Sequence, residues 1–221
     1  MRLIIKTTPN TVPIPFDYQS KMVGTLHKWI GKDNDLHDNL SLYSFSFLHN
    51  TERRGNALAC PKGSYFFISF YDEFVAKSVC GSILEMPEMF CGITATDIVI
   101  EATPDLTERE LFRLASPVFV KRKNPDGTLK FYTYEDSEVS DLLKETIFTK
   151  MKNAGLPIDE SLDIRFDTSY SGKKIKMVTY NGIKNKVSVC PVIISGQNYT
   201  KQFIWNVGLG NSTGIGLGAI C

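Results

Sequence analysis

The apolar positions of the chain fall into short runs whose spacing alternates between two periods. Leu3-Ile4-Ile5 opens the sequence as a first strand, Arg2 to Thr8, which stops at Pro9. Pro13 and Pro15 make the next stretch an extended connector, because each fixes φ and pushes its predecessor out of the helical region. Met22, Val23, Leu26, Trp29 and Ile30 then recur at helical spacing. Asp17 stands where an N-cap belongs and Gly31 where a C-cap belongs, which predicts a helix of about 14 residues. Lys32 to Asn39 is polar and reads as a loop. Leu40, Leu42, Phe45 and Phe47 alternate partly with serines, as a strand does, and Arg53-Arg54-Gly55-Asn56 reads as a turn. Tyr65 to Tyr71 is an aromatic strand after the Pro61-Lys62-Gly63 turn. Asp72 to Met86 carries Phe74, Val75, Val79, Ile83 and Leu84 as a second helix, and Ile93 to Ala102 is a further strand.

Strand, helix, strand, strand, helix, strand is the order of the ferredoxin-like unit. The charged segment Thr103 to Arg113 is the expected boundary, and the second half repeats the order less clearly. Val118 to Lys123 and Leu129 to Tyr132 read as strands around the Asn124-Pro125-Asp126-Gly127 turn. Asp136 or Ser137 is placed to cap a helix with Val139, Leu142, Leu143, Ile147, Phe148 and Met151, ending near Gly155. Leu162 to Phe166 alternates as a half-buried strand. Ile175 to Tyr180 and Ile183 to Ile194 flank Asn181-Gly182, a strong hairpin signal. A short helix, Asn198 to Asn206, precedes a glycine-rich stretch. The predicted fold is α+β: two tandem ferredoxin-like (RRM-like) domains, residues 1–103 and 114–221, with a C-terminal glycine-rich loop.

Composition narrows the class. Hydrophobic residues make up 43% of the 221 and charged residues 22%, which argues against a disordered chain. No apolar run reaches the roughly 18 residues of a membrane span. The three apolar residues before Lys6 are too few for a signal-peptide core. Cys60, Cys80, Cys91, Cys190 and Cys221 lie too far apart for a Cys-x-x-Cys half-site. Scattered and odd in number, they read as reduced thiols in a cytoplasmic protein. The net charge is +1, so any nucleic-acid site must come from local asymmetry.

The segment Val207 to Ile220 carries that possibility. Gly208, Gly210, Gly214, Gly216 and Gly218 fall within eleven residues. Glycine lets backbone approach a ligand closely and aim several N–H groups at an anion. The order helix, loop, strand reverses the dinucleotide fingerprint, and no Gly-Lys-Ser/Thr is present for a P-loop. The bland alternative is a glycine-rich strand packed tightly against a helix.

In its pattern this stretch resembles the C-terminal glycine signature of the repeat-associated RNA-binding (RAMP) superfamily of CRISPR systems. Within it, the chain is similar to the sixth Cas family, the endoribonucleases that cut precursor CRISPR RNA in its repeats. Pro15-Phe16-Asp17-Tyr18-Gln19, followed by Gly24 and an amphipathic helix, matches the family's first-helix region. Leu36-His37-Asp38 lies in the following loop, where members commonly place a catalytic histidine. Leu114 to Phe119 with Lys121-Arg122-Lys123 resembles the entry into the family's second domain. The resemblance implies a metal-independent endoribonuclease without a cofactor. It implies CRISPR repeat RNA as partner, with effector-complex subunits and a second copy of the chain as further candidates, and no membrane.

Three histidines are present. His49 follows an aromatic strand and reads as a surface or hydrogen-bonded residue. His37, between Asp35 and Asp38, stands at the position the resemblance makes catalytic. His27 falls where some members carry an assisting tyrosine. Members with that tyrosine often have a lysine soon after the histidine. Asn39-Leu40-Ser41-Leu42 holds none, which shifts charge stabilisation to Lys28, Lys21, Lys32 or the glycine-loop amides. The implied reaction is attack of an RNA 2′-hydroxyl on its neighbouring phosphate. It leaves a 2′,3′-cyclic phosphate and a 5′-hydroxyl. Histidine suits both proton transfers because its unperturbed pKa of ~6.5 lies near working pH.

Charge supplies an RNA footprint. Ser161 to Lys201 holds seven cations, among them Arg165, Lys173, Lys174, Lys176, Lys184 and Lys186, against Asp163 and Asp167. Lys121, Arg122 and Lys123 form a second cluster, and Arg53-Arg54 a third. Such charge gives salt-sensitive affinity without sequence reading. The alternative for each cluster is a lysine-decorated strand edge that resists aggregation. Tyr65 to Tyr71 is aromatic on both faces, so at least one face is core rather than a base-stacking platform. Two rivals stand beside the nuclease: a non-catalytic RAMP-fold RNA-binding subunit, and a ferredoxin-like protein holding a small phosphate compound.

Overall fold

The computed structural model describes residues 1–31 and 41–221. The first half contains β1 (Arg2–Thr7), α1 (Gln19–Ile30), β2 (Tyr43–Phe45), β3 (Glu52–Arg54), β4 (Ala57–Ala59), β5 (Tyr65–Phe70), α2 (Glu73–Glu85) and β6 (Ala95–Glu101). Its four-stranded sheet runs β2-β5-β1-β6, antiparallel throughout. This is the ferredoxin order. β3 and β4 form a small ribbon on the β2–β5 connection, turning at Gly55 with φ of +59°. Alternation in β1 and β5 sends Leu3, Ile5, Phe66, Ile68 and Phe70 to one face. There they pack with Met22, Val23, Leu26 and Trp29 of α1 and with Val79 and Ile83 of α2. Asp72 caps α2, its Oδ1 accepting from the Phe74 amide at 2.7 Å.

The second half contains β7 (Leu111–Phe112), β8 (Val120–Lys123), β9 (Leu129–Tyr132), α3 (Val139–Asn153), β10 (Asp163–Phe166), β11 (Lys174–Tyr180), β12 (Ile183–Val189), β13 (Val192–Ser195) and α4 (Asn198–Val207). Its sheet runs β10-β13-β7, and an antiparallel bridge from Leu114 to Ile220 adds the fourth strand position. The ferredoxin order therefore recurs. Two hairpins are inserted in it: β8–β9 before α3, and β11–β12 between β10 and β13. The core gathers Phe112, Leu143, Ile147, Met151, Ile164, Val192, Ile194, Phe203 and Ile204.

Several local expectations are corrected. Asp17 does not cap α1, whose N-cap is Tyr18 without a side-chain hydrogen bond. Neither Asp136 nor Ser137 caps α3. The N-cap is Glu138, and the Asp136 carboxylate instead accepts from the Thr133 amide and hydroxyl. The segment Thr103 to Arg113, read as connection, contains β7. Two residues are too few for any periodic signal, and β7 is a strand only because it pairs with β13. Ile183 to Ile194 is two strands, separated at Cys190-Pro191, since proline withholds the ladder donor. The aromatic strand is core: Phe66 to Phe70 are buried and only Tyr65 is exposed.

On the sheet face away from α1 and α2, the second half covers β2, β5 and the start of β1, while Val99 of β6 and the Lys6–Asp97 pair stay exposed. Arg2 lies 4% exposed with its guanidinium between the rings of Phe67 (3.7 Å) and Trp205 (3.8 Å). It donates to Ser69 Oγ at 2.7 Å and to the Ile220 carbonyl at 2.8 Å. Burial pushes its pKa down to about 9, so it stays charged at neutral pH. α4 lies against β5 and β2.

Candidate nucleic-acid interface and reaction site

The glycine-rich stretch is the seam between the halves. All five candidate glycines are buried. A Cβ on Gly208 would lie 2.8 Å from the Gly218 carbonyl oxygen and 2.9 Å from Ser44 Cβ. On Gly210 it would overlap the Phe119 carbonyl, on Gly214 the Ser41 hydroxyl, and on Gly218 the Leu209 carbonyl. Gly216, at φ +81°, faces the Phe45 ring, 2.5 Å from where a Cβ would stand. These residues let β2 and its flanks approach the backbone of the other half. Many amides of the stretch are spent internally. Leu209 N donates to Gly218 O, Asn211 N to Phe119 O, Gly216 N to Thr213 O and Gly218 N to Pro117 O.

Polar side chains fix the seam. Ser44 Oγ donates to the Asn206 carbonyl at 3.0 Å. The Tyr43 hydroxyl reaches the Gly214 carbonyl at 3.4 Å, and burial raises its pKa to about 12. From α3, the Lys150 ammonium donates to the Val207 carbonyl at 2.9 Å and to Thr213 Oγ1 at 3.0 Å. Lys150 is 2% exposed, and burial lowers its pKa to about 7. Sequence reading passed over it. Its signal is present, because Leu143, Ile147 and Lys150 share one stripe of α3 at helical spacing.

Of the basic candidates, Lys121 meets the seam: its amide donates to Asn211 Oδ1 at 2.8 Å and its ammonium lies 5.6 Å from the Phe119 ring centroid. Arg122 turns the other way, donating to the Leu142 carbonyl at 2.7 Å and pairing with Glu145 at 3.2 Å on α3. Lys123 is exposed at the end of β8. In the β11–β12 ribbon Met177 faces Lys186 and Thr179 faces Lys184. Lys184 and Lys186 thus share one face, beside a Met177 that is 55% exposed. Lys174 and Lys176 alternate onto the opposite face, with Val178 and the buried Val187. Lys173 sits in the turn before β11, its amide donating to the Tyr170 carbonyl. The ribbon contacts both α1 and β9.

α1 presents His27 and Lys28, both exposed, in its last turn. The other end of the same helix, at Gln19, meets Gly216. Eight residues of helix separate the ends, about 12 Å, so the seam and His27 are not in contact through α1. The Lys28 ammonium donates to the carbonyls of Met86 and Glu88. His37, the principal catalytic candidate, lies outside the described residues. The chain enters that segment at Gly31, behind His27, and leaves it at Ser41, beside Gly214. His49 stacks on Tyr65 with centroids 4.6 Å apart, its pKa lowered by burial. Among the described residues no group of three or more His, Cys, Asp or Glu is placed to hold a metal ion, and no helix is long and apolar enough to cross a membrane.

Comparison with known proteins bears on this arrangement. Solved structures share the fold over 100% of this chain, three of them as follows. The CRISPR-associated protein Cas6 matches at 18% identity over 98% of its own length, with a TM-score of 0.83. The product of a Cas6-related gene from Pyrococcus furiosus matches at 19% identity over 97% of its length, with a TM-score of 0.84. A RAMP protein described as binding different RNA substrates matches at 18% identity over 98% of its length, with a TM-score of 0.85. No match was found among curated proteins. The model of the C-terminal part of CRISPR-associated protein Cas6 matches residues 101–221. That span holds the second sheet, both inserted hairpins and the glycine seam, and it is more than half of the sequence: the chain belongs to the Cas6 family of CRISPR-associated proteins.

Proposed function

We propose that the protein is a metal-independent endoribonuclease that cuts CRISPR repeat RNA within precursor transcripts to give guide RNAs. The observation that carries this is the family match across the segment that builds the glycine seam and the lysine-bearing hairpins. The exposed lysines of β11–β12, with Lys121 beside the seam, supply phosphate affinity that falls as salt rises. A-form RNA hides its major-groove edges, so repeat shape, unpaired bases and 2′-hydroxyls carry recognition.

In this reading His37 removes the 2′ proton or protonates the departing 5′ oxygen. It stands four residues before Ser41, whose hydroxyl meets Gly214. His27 is its partner or a phosphate contact. Each proton transfer is worth typically 10²- to 10⁴-fold. Lysines and backbone amides facing the phosphate stabilise the added transition-state charge. The glycines contribute through the shape of the seam, on which Lys121 and Asn211 are positioned.

The engagement of Lys28 with the Met86 and Glu88 carbonyls favours a second reading, a RAMP-fold subunit that holds guide RNA without cutting it. One experiment separates the two. The full chain is incubated with cognate repeat RNA in EDTA and the ends are mapped. A single cut leaving a 5′-hydroxyl, abolished in His37→Ala, is the expected result. Binding without cutting supports the subunit, and absence of binding at low salt overturns both.

A further inference from the structure

The second sheet carries a cavity that the proposed reaction does not use. Ile164, Phe166, Val192, Ile194 and Phe112 point into the core, so the alternate residues of those strands face outward. Arg165, Ile193 and Leu111 lie opposite one another across the three strands and form one row on that outer face. Beside this row lies a cavity of about 350 Å³, walled by Leu111, Arg113, Tyr170, Val189, Cys190 and Pro191. Its size falls within the roughly 300–1,000 Å³ of small-ligand sites.

The walls are built rather than incidental. The Asp167 amide donates to the Pro191 carbonyl at 2.8 Å, and the Tyr170 amide to the Asp167 carbonyl at 3.1 Å. The Cys190 thiol, its pKa raised by burial, contacts that same Asp167 carbonyl at 3.3 Å. The Asp167 carboxylate accepts from the Ser169 amide at 3.1 Å and from its hydroxyl, within the turn that presents Tyr170. The Tyr170 ring folds over Gly172, where a Cβ would come within 2.7 Å of the ring. Only a residue without a side chain leaves the ring there. The ring is nonetheless 47% exposed. Arg113 and Arg165 are exposed, and among the described residues neither forms an ion pair.

We propose that this cavity holds one unstacked nucleobase of the repeat RNA, against the Tyr170 ring and the Arg113 guanidinium, while Arg165 meets the adjoining phosphate. A half-exposed aromatic ring, a planar cation and an apolar floor are what an unpaired base requires. Every base has a π-face, and its phosphate needs an unpaired positive group. The site rests on the reading of the protein as one that binds repeat RNA. It adds a single-stranded contact on the outer face of the second sheet to the lysine ribbon.

The test uses the full chain and repeat RNA carrying 2′-O-methyl groups, which 2′-hydroxyl attack cannot cut. Binding is measured for the wild type, Tyr170→Ala, Tyr170→Phe and Gly172→Ala, with each nucleotide in turn replaced by an abasic one. Tyr170→Ala is expected to weaken binding by about 5- to 150-fold, the range of one base–aromatic stack. Tyr170→Phe retains affinity, and Gly172→Ala, which displaces the ring, follows Tyr170→Ala. One abasic position weakens the wild type and leaves Tyr170→Ala unchanged. Equal binding by wild type and Tyr170→Ala, or identical abasic profiles for the two, overturns the base site while leaving RNA binding intact. A wild type that binds no repeat RNA overturns the functional reading, and the base site with it.

Discussion

Lys150 ties the end of α4 to the glycine seam with a charge taken wholly out of water, and that placement predicts an unusual pH dependence of stability. In the unfolded chain its pKa is the ordinary 10.5, and in the folded protein burial lowers it to about 7. Between those values the unfolded chain holds a proton that the folded one has released. Stability therefore rises with pH across that window and is flat below it, where both states are protonated. The drop from 10.5 to about 7 corresponds to roughly 5 kcal/mol in full, at about 1.4 kcal/mol per pH unit. Between pH 7 and 9 the gain is about 2 kcal/mol. The perturbation is Lys150→Met, which keeps the length of the side chain and removes the titration. Urea unfolding of both proteins at pH 6, 7, 8 and 9 isolates the residue. Groups common to both chains cancel in the difference, including the thiols of Cys60 and Cys190, which burial also shifts. The wild type should gain on the variant steadily above pH 7. A difference that stays flat from pH 7 to 9 would refute the assignment of a buried, titrating ammonium at this place.

Two further tests address the seam. Gly218→Ala forces a side chain to φ +79° and into the Leu209 carbonyl, so a loss of about 2–5 kcal/mol in urea is expected, combining left-handed strain with overpacking. Gly24→Ala in α1, where a Cβ meets nothing within 4 Å, should instead stabilise by up to about 1 kcal/mol, and equal effects at the two glycines would show that close approach is not what the seam requires. Arg2→Met leaves the buried Ile220 carbonyl without its guanidinium donor, an expected loss of about 1–3 kcal/mol read from the denaturation midpoint; an unchanged midpoint would mean that the Phe67–Trp205 sandwich holds nothing together.

The first half was nearly all legible from apolar spacing. β1, β5, β6 and both helices are long enough to show a period, whereas the three-residue β3 and β4 are not, and Gly31, at φ +85°, ends α1 as expected of a residue without a side chain. β7 was not legible, because two residues carry no period and only the β13 pairing makes them a strand. The break between β12 and β13 was missed: Pro191 carries its signal, but Val189 to Ile194 is apolar throughout and reads as one run. The ribbon faces were also available in principle. A turn at Asn181-Gly182 pairs Tyr180 with Ile183, and counting back from it puts Lys176 on the face opposite Lys184 and Lys186. What spacing could not reveal is what the glycines face. Their neighbours, Ser41, Ser44 and Phe45, lie some 160 to 170 residues away in the chain. The same holds for the Tyr170 ring, whose surroundings come from β7, β12 and the connections around them.

The glycine seam also sets an order for assembly. The Arg2 guanidinium and the Ile220 carbonyl are 218 residues apart in sequence. The segment that seals this part of the first sheet is therefore made more than 200 residues after β1. Until then, a nascent chain carries a finished βαββαβ layer whose outer side, with Phe67 and the Arg2 cation, is open to solvent or to a chaperone. Any pause in synthesis between β6 and residue 220 would prolong that exposure, so the pace of translation across the second half becomes a determinant of how much protein reaches its closed state.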